Sequence, residues 1–428
     1  MKIVGLITEY NPFHNGHQYH IEQAKEICGA DTAIVIMSGD YVQRGTPAII
    51  PKHLRAEMAL KCGASAVFEL PVCYATGSAE LFATGAISFL QELGIVDCVC
   101  FGSESNDLEG MQTIADFLLE EPVEYKLALQ QSLKNGNSFP AARQEALQLT
   151  LKDPRFHKLL EHPNNILSIE YLKAIRRLNA DLTPYTILRQ GAGYHDKKLQ
   201  TSFSSASAIR SLLAYSGNAL TTDPDAAAFD NVHFSNILHQ LEPQVPACCL
   251  ELLTDYHHVA YPIYQNDFSL LLKYKLLNKT ATDLTRYMDV SPELANRILN
   301  QLNQFFHYRQ FSELLKTKEL TQVRINRALL HIMLGIKKDD VDAFIADGYH
   351  YYARLLGVRK DKERVLGQIA RKSSIPLLTN LYRGEELSEH GQRLLQYDIL
   401  SSNLYRSVIT DKYKTAFINE YQEPILKV

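Results

Sequence analysis

Ile3-Val-Gly-Leu-Ile-Thr8-Glu-Tyr-Asn-Pro-Phe-His14-Asn-Gly16-His17-Gln-Tyr-His20 is the stretch on which the reading of this chain turns. Lys2–Thr8 is a short apolar run suited to a buried strand, and from His17 to Cys28 apolar residues recur at helical spacing. Between them Pro12 and Gly16 shape a tight loop, and Gly16 lets an anion approach the backbone closely. A helix opening near Gly16 is expected to offer unpaired N–H groups and a positive dipole end, which together make an anion site. His14 and His17, three apart in that turn, can aim ring N–H donors at one phosphate, and His20 lies a helical turn further on the same face. A His pair at this spacing can also hold a metal. No HExxH pattern or cysteine ligand lies nearby, so no metal site is expected.

Outward from this segment the chain alternates. Thr32–Ser38, Ala66–Leu70 and Val96–Gly102 read as buried strands, and Pro51–Cys62 and Ser78–Leu93 as the helices between them. The order predicts an α/β fold, a Rossmann-like doubly wound parallel sheet with helices on both faces. Its ligand belongs beyond the carboxyl ends of the strands, at the loops Glu9–Gly16, Gly39–Thr46, Pro71–Gly77 and Gly102–Asn106. Residues about 107–162 read as a helical insertion. Asn164–Leu178 is a further helix, Thr183–Leu188 a further strand and Ser204–Leu213 a short helix. Residues 1–217 therefore form one domain, 218–230 a polar linker, and 231–428 an all-helical C-terminal domain.

Composition narrows the class. The chain has 428 residues, 46% of them apolar, enough for a large core, and a net charge of −4. Residues 1–250 carry 19 Lys+Arg against 27 Asp+Glu, while 251–428 carry 25 against 21, and 316–372 alone carry 13 against 7. A basic second half hints at a polyanionic partner, but on charge alone a solvated helical surface is the better reading. The seven cysteines form no CxxC pair and sit mostly in apolar runs, as reduced thiols do in a cytoplasmic protein. No apolar run approaches the ~20 residues that span a bilayer, and the N-terminus is too soon charged for a signal peptide.

His14-Asn-Gly-His17 after a first strand resembles the HxGH signature of the nucleotidyltransferase superfamily. Ser204-Ser-Ala-Ser-Ala-Ile-Arg210 looks like that superfamily's hydroxyl-rich second motif. The strings GLITEYNPFHNGHQYH (5–20), MSGDYVQRGTPAI (37–49), FELP (68–71), FGSES (101–105), PNNILSIEYLKAI (163–175), YTILRQGAGYHD (185–196) and SSASAIR (204–210) together resemble the bacterial tRNA(Met) cytidine acetate ligase family. A fainter likeness continues through DFSLLLKYKL (267–276) and TQVRINRALLHIMLG (321–335).

The resemblance implies an ATP-dependent ligase. It would activate acetate as acetyl-adenylate and pass the acetyl group to N4 of the wobble cytidine of elongator tRNA(Met). His14, His17 and Arg210 are the implied catalytic residues. ATP contacts fall to Ile7, Thr8, Glu9, Tyr10, Asn11, Pro12, Phe13, Asn15, Gly16, Gln18, Tyr19 and His20, and to Gly102, one of Asn164 and Asn165, Arg189, Ser204 and Ser205. ATP is a substrate, accompanied by Mg2+, and no tightly bound cofactor is implied. The residues suit the chemistry independently, since acetate is already an anionic nucleophile and needs positioning and charge stabilisation rather than a general base.

The basic stretch supplies tRNA candidates. Arg324 and Arg327, three apart, share a helix face, Arg359 and Lys360 add charge, and Tyr349–Tyr352 offer rings for stacking on bases. Two rivals stand beside this reading. One is a small-molecule adenylyltransferase or a ligase of the pantothenate-synthetase kind that uses no RNA. The other is a non-catalytic nucleotide- or RNA-binding protein.

Overall fold

A computed structural model describes residues 2–189, 204–214 and 234–428. β1 (Ile3–Thr8) leads through the signature loop into α1 (Asn15–Cys28), which Gly29 ends in the left-handed region at φ 60°. β2 (Thr32–Ser38) is buried along its whole length. A small antiparallel ladder, β3 (Tyr41–Val42) with β4 (Thr46–Pro47), precedes α2 (Lys52–Lys61) and β5 (Ala66–Leu70). Next come α3 (Val72–Ala75), α4 (Ala79–Glu92) and β6 (Cys98–Ser103). The expected insertion is helical throughout: α5 (Leu108–Glu120), α6 (Val123–Lys134), α7 (Phe139–Thr150) and α8 (Pro154–Leu159). α9 (Pro163–Arg177), β7 (Thr183–Leu188) and α10 (Ala206–Leu213) complete the first half.

The strands of this half lie in the order β5-β2-β1-β6-β7, all parallel. The chain winds outward from β1 on one side, then returns to β6 on the other. That reversal opens a crevice at the carboxyl ends of β1 and β6, where a ligand can enter.

The second half is mostly helical, from a helix at 234–241 to the 25-residue helix Glu389–Tyr413. It also adds three strands to the sheet: β8 (Ala353–Val358), β9 (Leu377–Leu378) and β10 (Leu426–Lys427). β8 pairs antiparallel with β5, and β9 and β10 pair parallel with β8, giving a mixed, mostly parallel sheet of eight strands. Sequence pattern missed β8 because Arg354 breaks its apolar run. The partners that permit a buried Arg354 are remote in sequence: Glu69 at 2.8 Å and Glu420. Lys52 completes this dry seam, with Nζ 2.8 Å from Glu69, 2.8 Å from Glu420 and 2.6 Å from the Ser402 hydroxyl. Two cations against two carboxylates leave the buried cluster balanced, the condition under which such charges can stay inside.

The loop expected at 191–202 and the linker at 218–230 lie outside the described residues. Among the described residues no helix is long and apolar enough to cross a membrane.

Candidate active site

The loop leaving β1 turns at Tyr10, a residue with positive φ (47°), and enters α1 at His14. Neighbouring loops hold its shape. Asn11 Oδ1 accepts the Ile49 N–H at 2.8 Å, and Glu9 Oε1 accepts the Gln43 N–H at 2.8 Å. Arg55 of α2 is wholly buried and spends its guanidinium on the carbonyls of Glu9, Ser38, Gly39 and Ile50. Five N–H donors in a rigid fork make arginine suited to tying several carbonyls at once. Arg210 of α10 donates to the Asn11 carbonyl and to the Ser207 hydroxyl at 3.0 Å.

The amides at the start of α1 differ from expectation. Asn15 N–H donates to the Gln244 carbonyl at 3.0 Å, Gly16 N–H to His14 Nδ1 at 3.1 Å, and His17 N–H to the His14 carbonyl at 2.8 Å. They are paired within the protein, so at this turn the imidazoles rather than the backbone face the crevice. Because His14 Nδ1 accepts, a neutral His14 ring carries its proton on Nε2. His14 and His17 stack with centroids 3.7 Å apart. His17 Nδ1 and His20 Nε2 are buried without a hydrogen-bond partner. Burial, and then the nearby Arg189 and Arg210, push the His14 pKa down to about 3. Burial, with His14, Arg189 and His20 beside it, holds His17 well below its ordinary value. Burial and Arg189 lower His20 to about 4, against a hydrogen bond to the Cys100 backbone. Three neutral imidazoles thus stand together as N–H donors.

They border a cavity of about 860 Å³ at the carboxyl ends of β1, β6 and β7. Of the residues marked in the sequence, Ile7, Thr8, Glu9, Tyr10, Asn11, His14, Gly16, His17, Tyr19 and His20 line it, as do Gly102, Asn164, Arg189, Ser204, Ser205 and Arg210. Pro12, Phe13, Asn15, Gln18 and Asn165 do not. Phe13 is buried in the core, Asn15 reaches the Pro243 carbonyl, and Gln18 bonds Glu22 on the outer face of α1. Asn165 accepts the Glu104 N–H at 3.0 Å and so braces the loop after β6, leaving Asn164 as the one at the cavity. The loop Pro71–Gly77 is also absent from the lining, since it folds as α3 against the helix Glu389–Tyr413.

A family model described as HIGH Nucleotidyl Transferase matches residues 1–420. The tRNA(Met) cytidine acetate ligase of Thermoanaerobacter sp. (strain X514) is 37% identical over 431 residues, covering 100% of both chains. That of Acetivibrio thermocellus is 38% identical over 408 residues, covering 95% of this chain and 94% of its own. This chain belongs to the tRNA(Met) cytidine acetate ligase family. Two solved structures of Thermotoga maritima TmcAL, apo and bound with alpha-thio ATP, match it with TM-scores of 0.88 and 0.87 at 30% identity, over 100% of both chains. Membership makes the chain an ATP-dependent ligase with the nucleotidyltransferase fold.

Within this ligase family architecture the four basic candidates do not share a surface. Gly45, at the tip of the β3–β4 ladder, lies against the backbone of Asn326 and Arg327, so the helix Gln322–Leu334 stands on the cavity side. Arg327 there is spent on an ion pair with Asp289 at 2.8 Å. Arg359 and Lys360 follow the end of β8, whose antiparallel course carries them to the amino ends of the parallel strands. Arg359 N–H meets the Ser65 carbonyl at 3.0 Å, and its side chain pairs with Asp361. The Tyr349–Tyr352 run is structural: Tyr352 is buried on Asp398, and the Tyr351 hydroxyl bonds Asp347 at 3.0 Å. Sequence reasoning missed Ile263–Asp267, which line the cavity from the second half. No motif marks them; their place follows from the Ile263 N–H bonding the Ile49 carbonyl at 3.0 Å.

Proposed function

We propose that the chain activates acetate with ATP and acetylates N4 of the wobble cytidine of elongator tRNA(Met). In the first step an acetate oxygen attacks the α-phosphorus, the bond to the bridging oxygen breaks, and pyrophosphate leaves. In the second the cytidine amine attacks the acetyl carbonyl, AMP leaves, the amine gives up a proton, and N4-acetylcytidine remains.

The observation that carries this reading is the meeting of His14, His17, His20, Arg189 and Arg210 around one cavity. Neutral imidazole donors beside guanidinium charge suit an α-phosphate on which charge builds during in-line displacement. The cavity lies within the range of ligand pockets. Asn164 and Gly102 are proposed for the nucleoside side, and Ser204, Ser205 and Arg210 for the β,γ-phosphates. The acidic residues lining the cavity among those described are Glu9 and Asp267, and both hold protein partners. Mg2+ would therefore ride on the phosphate oxygens of ATP, as this ion commonly does. The names of the relatives support tRNA(Met) and acetate as substrates over the small-molecule rival.

The test is pyrophosphate release with a panel of carboxylates, with and without tRNA. Acetate-dependent release without tRNA, followed by acetyl transfer when tRNA(Met) is added, is expected. Release with pantoate, or no transfer to tRNA, would favour the small-molecule rival; no release with any carboxylate would favour a binding protein.

A further inference from the structure

Three cysteines that the sequence scatters come together on the side of the fold that carries α1 and α2. Cys62 caps the end of α2, and Cys248 and Cys249 lie in the first turn of the helix Ala247–Tyr256. Cys62 Sγ is 3.5 Å from Cys248 Sγ and 3.7 Å from Cys249 Sγ, and the three sulfurs lie within 4.8 Å of one another. These separations are far beyond a disulfide bond of about 2.05 Å. The two separations from Cys62 are close to the edge of a tetrahedron around Zn2+, about 3.8 Å for Zn–S bonds of about 2.3 Å.

We propose that Cys62, Cys248 and Cys249 form a binding site for a thiophilic divalent cation of the Zn2+ type, with water in the fourth position. Cys62 and Cys249 are buried, while Cys248 is half-buried, so the fourth position opens on its side. Thiolate charge has support there. Cys248 and Cys249 stand at the positive end of a ten-residue helix, and Lys61 acts on Cys248. Hydrogen bonding with Cys249 draws the Cys248 thiol down, while the same contact, Cys62 and burial hold the Cys249 thiol up, so the cation itself has to displace that proton. The cation would bind as the thiols release their protons.

The site has a structural consequence. The residues just before this helix accept both donors of Asn15, whose amide reaches the Gln244 carbonyl and whose side chain reaches that of Pro243. A cation tying Cys248 and Cys249 to α2 would fix the support on which the start of α1 rests. It would do so without touching the ATP cavity, which none of the three cysteines lines.

The experiment uses the full chain, reduced and stripped with a chelator, then titrated with Co2+ as a spectroscopic probe. One equivalent should give an intense thiolate-to-cobalt charge-transfer band, and Zn2+ should bleach it. Zn2+ should also raise the thermal midpoint. In Cys248→Ser, whose half-exposed position tolerates the change and whose fold circular dichroism checks, both effects should vanish. No charge-transfer band from folded wild-type protein would overturn the proposal. A band that persists in Cys248→Ser would overturn it too, as would oxidation of Cys62 and Cys248 to a disulfide with Zn2+ present.

Discussion

The imidazoles of His14 and His17 stack with their planes 25° apart, and one nitrogen of His14 is spent on capping the helix that carries His17. The two residues of the signature are thus divided in labour. His14 shapes the turn with Nδ1 and keeps Nε2 for the ligand, while His17 keeps Nδ1 unpartnered.

This division makes separable predictions. His17→Ala should lower acetate-dependent ATP–pyrophosphate exchange by roughly 10²–10³, the usual cost of one such donor. His14→Ala should do the same and also lose the cap, worth about 0.5–2 kcal/mol of stability. His14→Asn restores a capping oxygen, so it should regain the thermal midpoint without regaining exchange. Near-wild-type exchange in His17→Ala and His14→Asn would remove both from the chemistry.

Acid should weaken the fold through the same cluster. A histidine with a lowered folded pKa is neutral when folded and protonated when unfolded between that pKa and 6.5, so the unfolded state binds more protons there. Stability should therefore fall as pH drops below 6.5, down to about 4 for His20 and about 3 for His14. Each such group contributes a slope of about 1.4 kcal/mol per pH unit in its window. Urea unfolding across this range should show a flatter decline for His20→Gln; an unchanged slope would mean that His20 protonates normally in the folded protein.

Selectivity among carboxylates should follow the wall facing α1, where Val42, Pro47, Ile49 and Ile263 supply apolar surface. Each added methylene beyond acetate should cost about 1–3 kcal/mol, or 10–200-fold in exchange rate. Butyrate activated as well as acetate would sink the acetate assignment.

Arg324 stands on the same helix and acts on Asp289 only through its charge, while Arg327 makes the salt bridge. Arg324→Glu should weaken tRNA binding and flatten its salt dependence, with adenylation unchanged. Arg359→Glu with Lys360→Glu should leave tRNA affinity as it is, because those residues stand at the opposite end of the sheet. Filter binding over a salt series decides it, and the reverse pattern would move the RNA face to the amino ends of the strands.

The first half was legible because its signals are local. β2 shows its burial as an unbroken apolar run, and His14-Asn-Gly-His17 sits where a βα unit puts its ligand. What escaped depends on distant partners. Arg354 reads as a surface charge until Glu69 and Glu420 are beside it. Arg327 reads as an unpaired surface charge until Asp289 is 2.8 Å away. The α1 amides read as open until Gln244 arrives from more than two hundred residues downstream. Ile263–Asp267 line the cavity through packing that no periodicity records.

The seam between β5 and β8 also sets a schedule for the growing polypeptide. His53 and Glu420, which meet in it, are 367 residues apart, and Lys52 and Ser402 are 350 apart. At about 5–20 residues per second, a ribosome needs roughly 20–70 s to travel between them. For most of that interval, until β8 has been made, β5 has an open edge, and Lys52 and Glu69 lack their later partners for longer still. The nascent enzyme must stay soluble in that state, so a chaperone or a slow collapse of the first half has to shield the edge until β8 arrives.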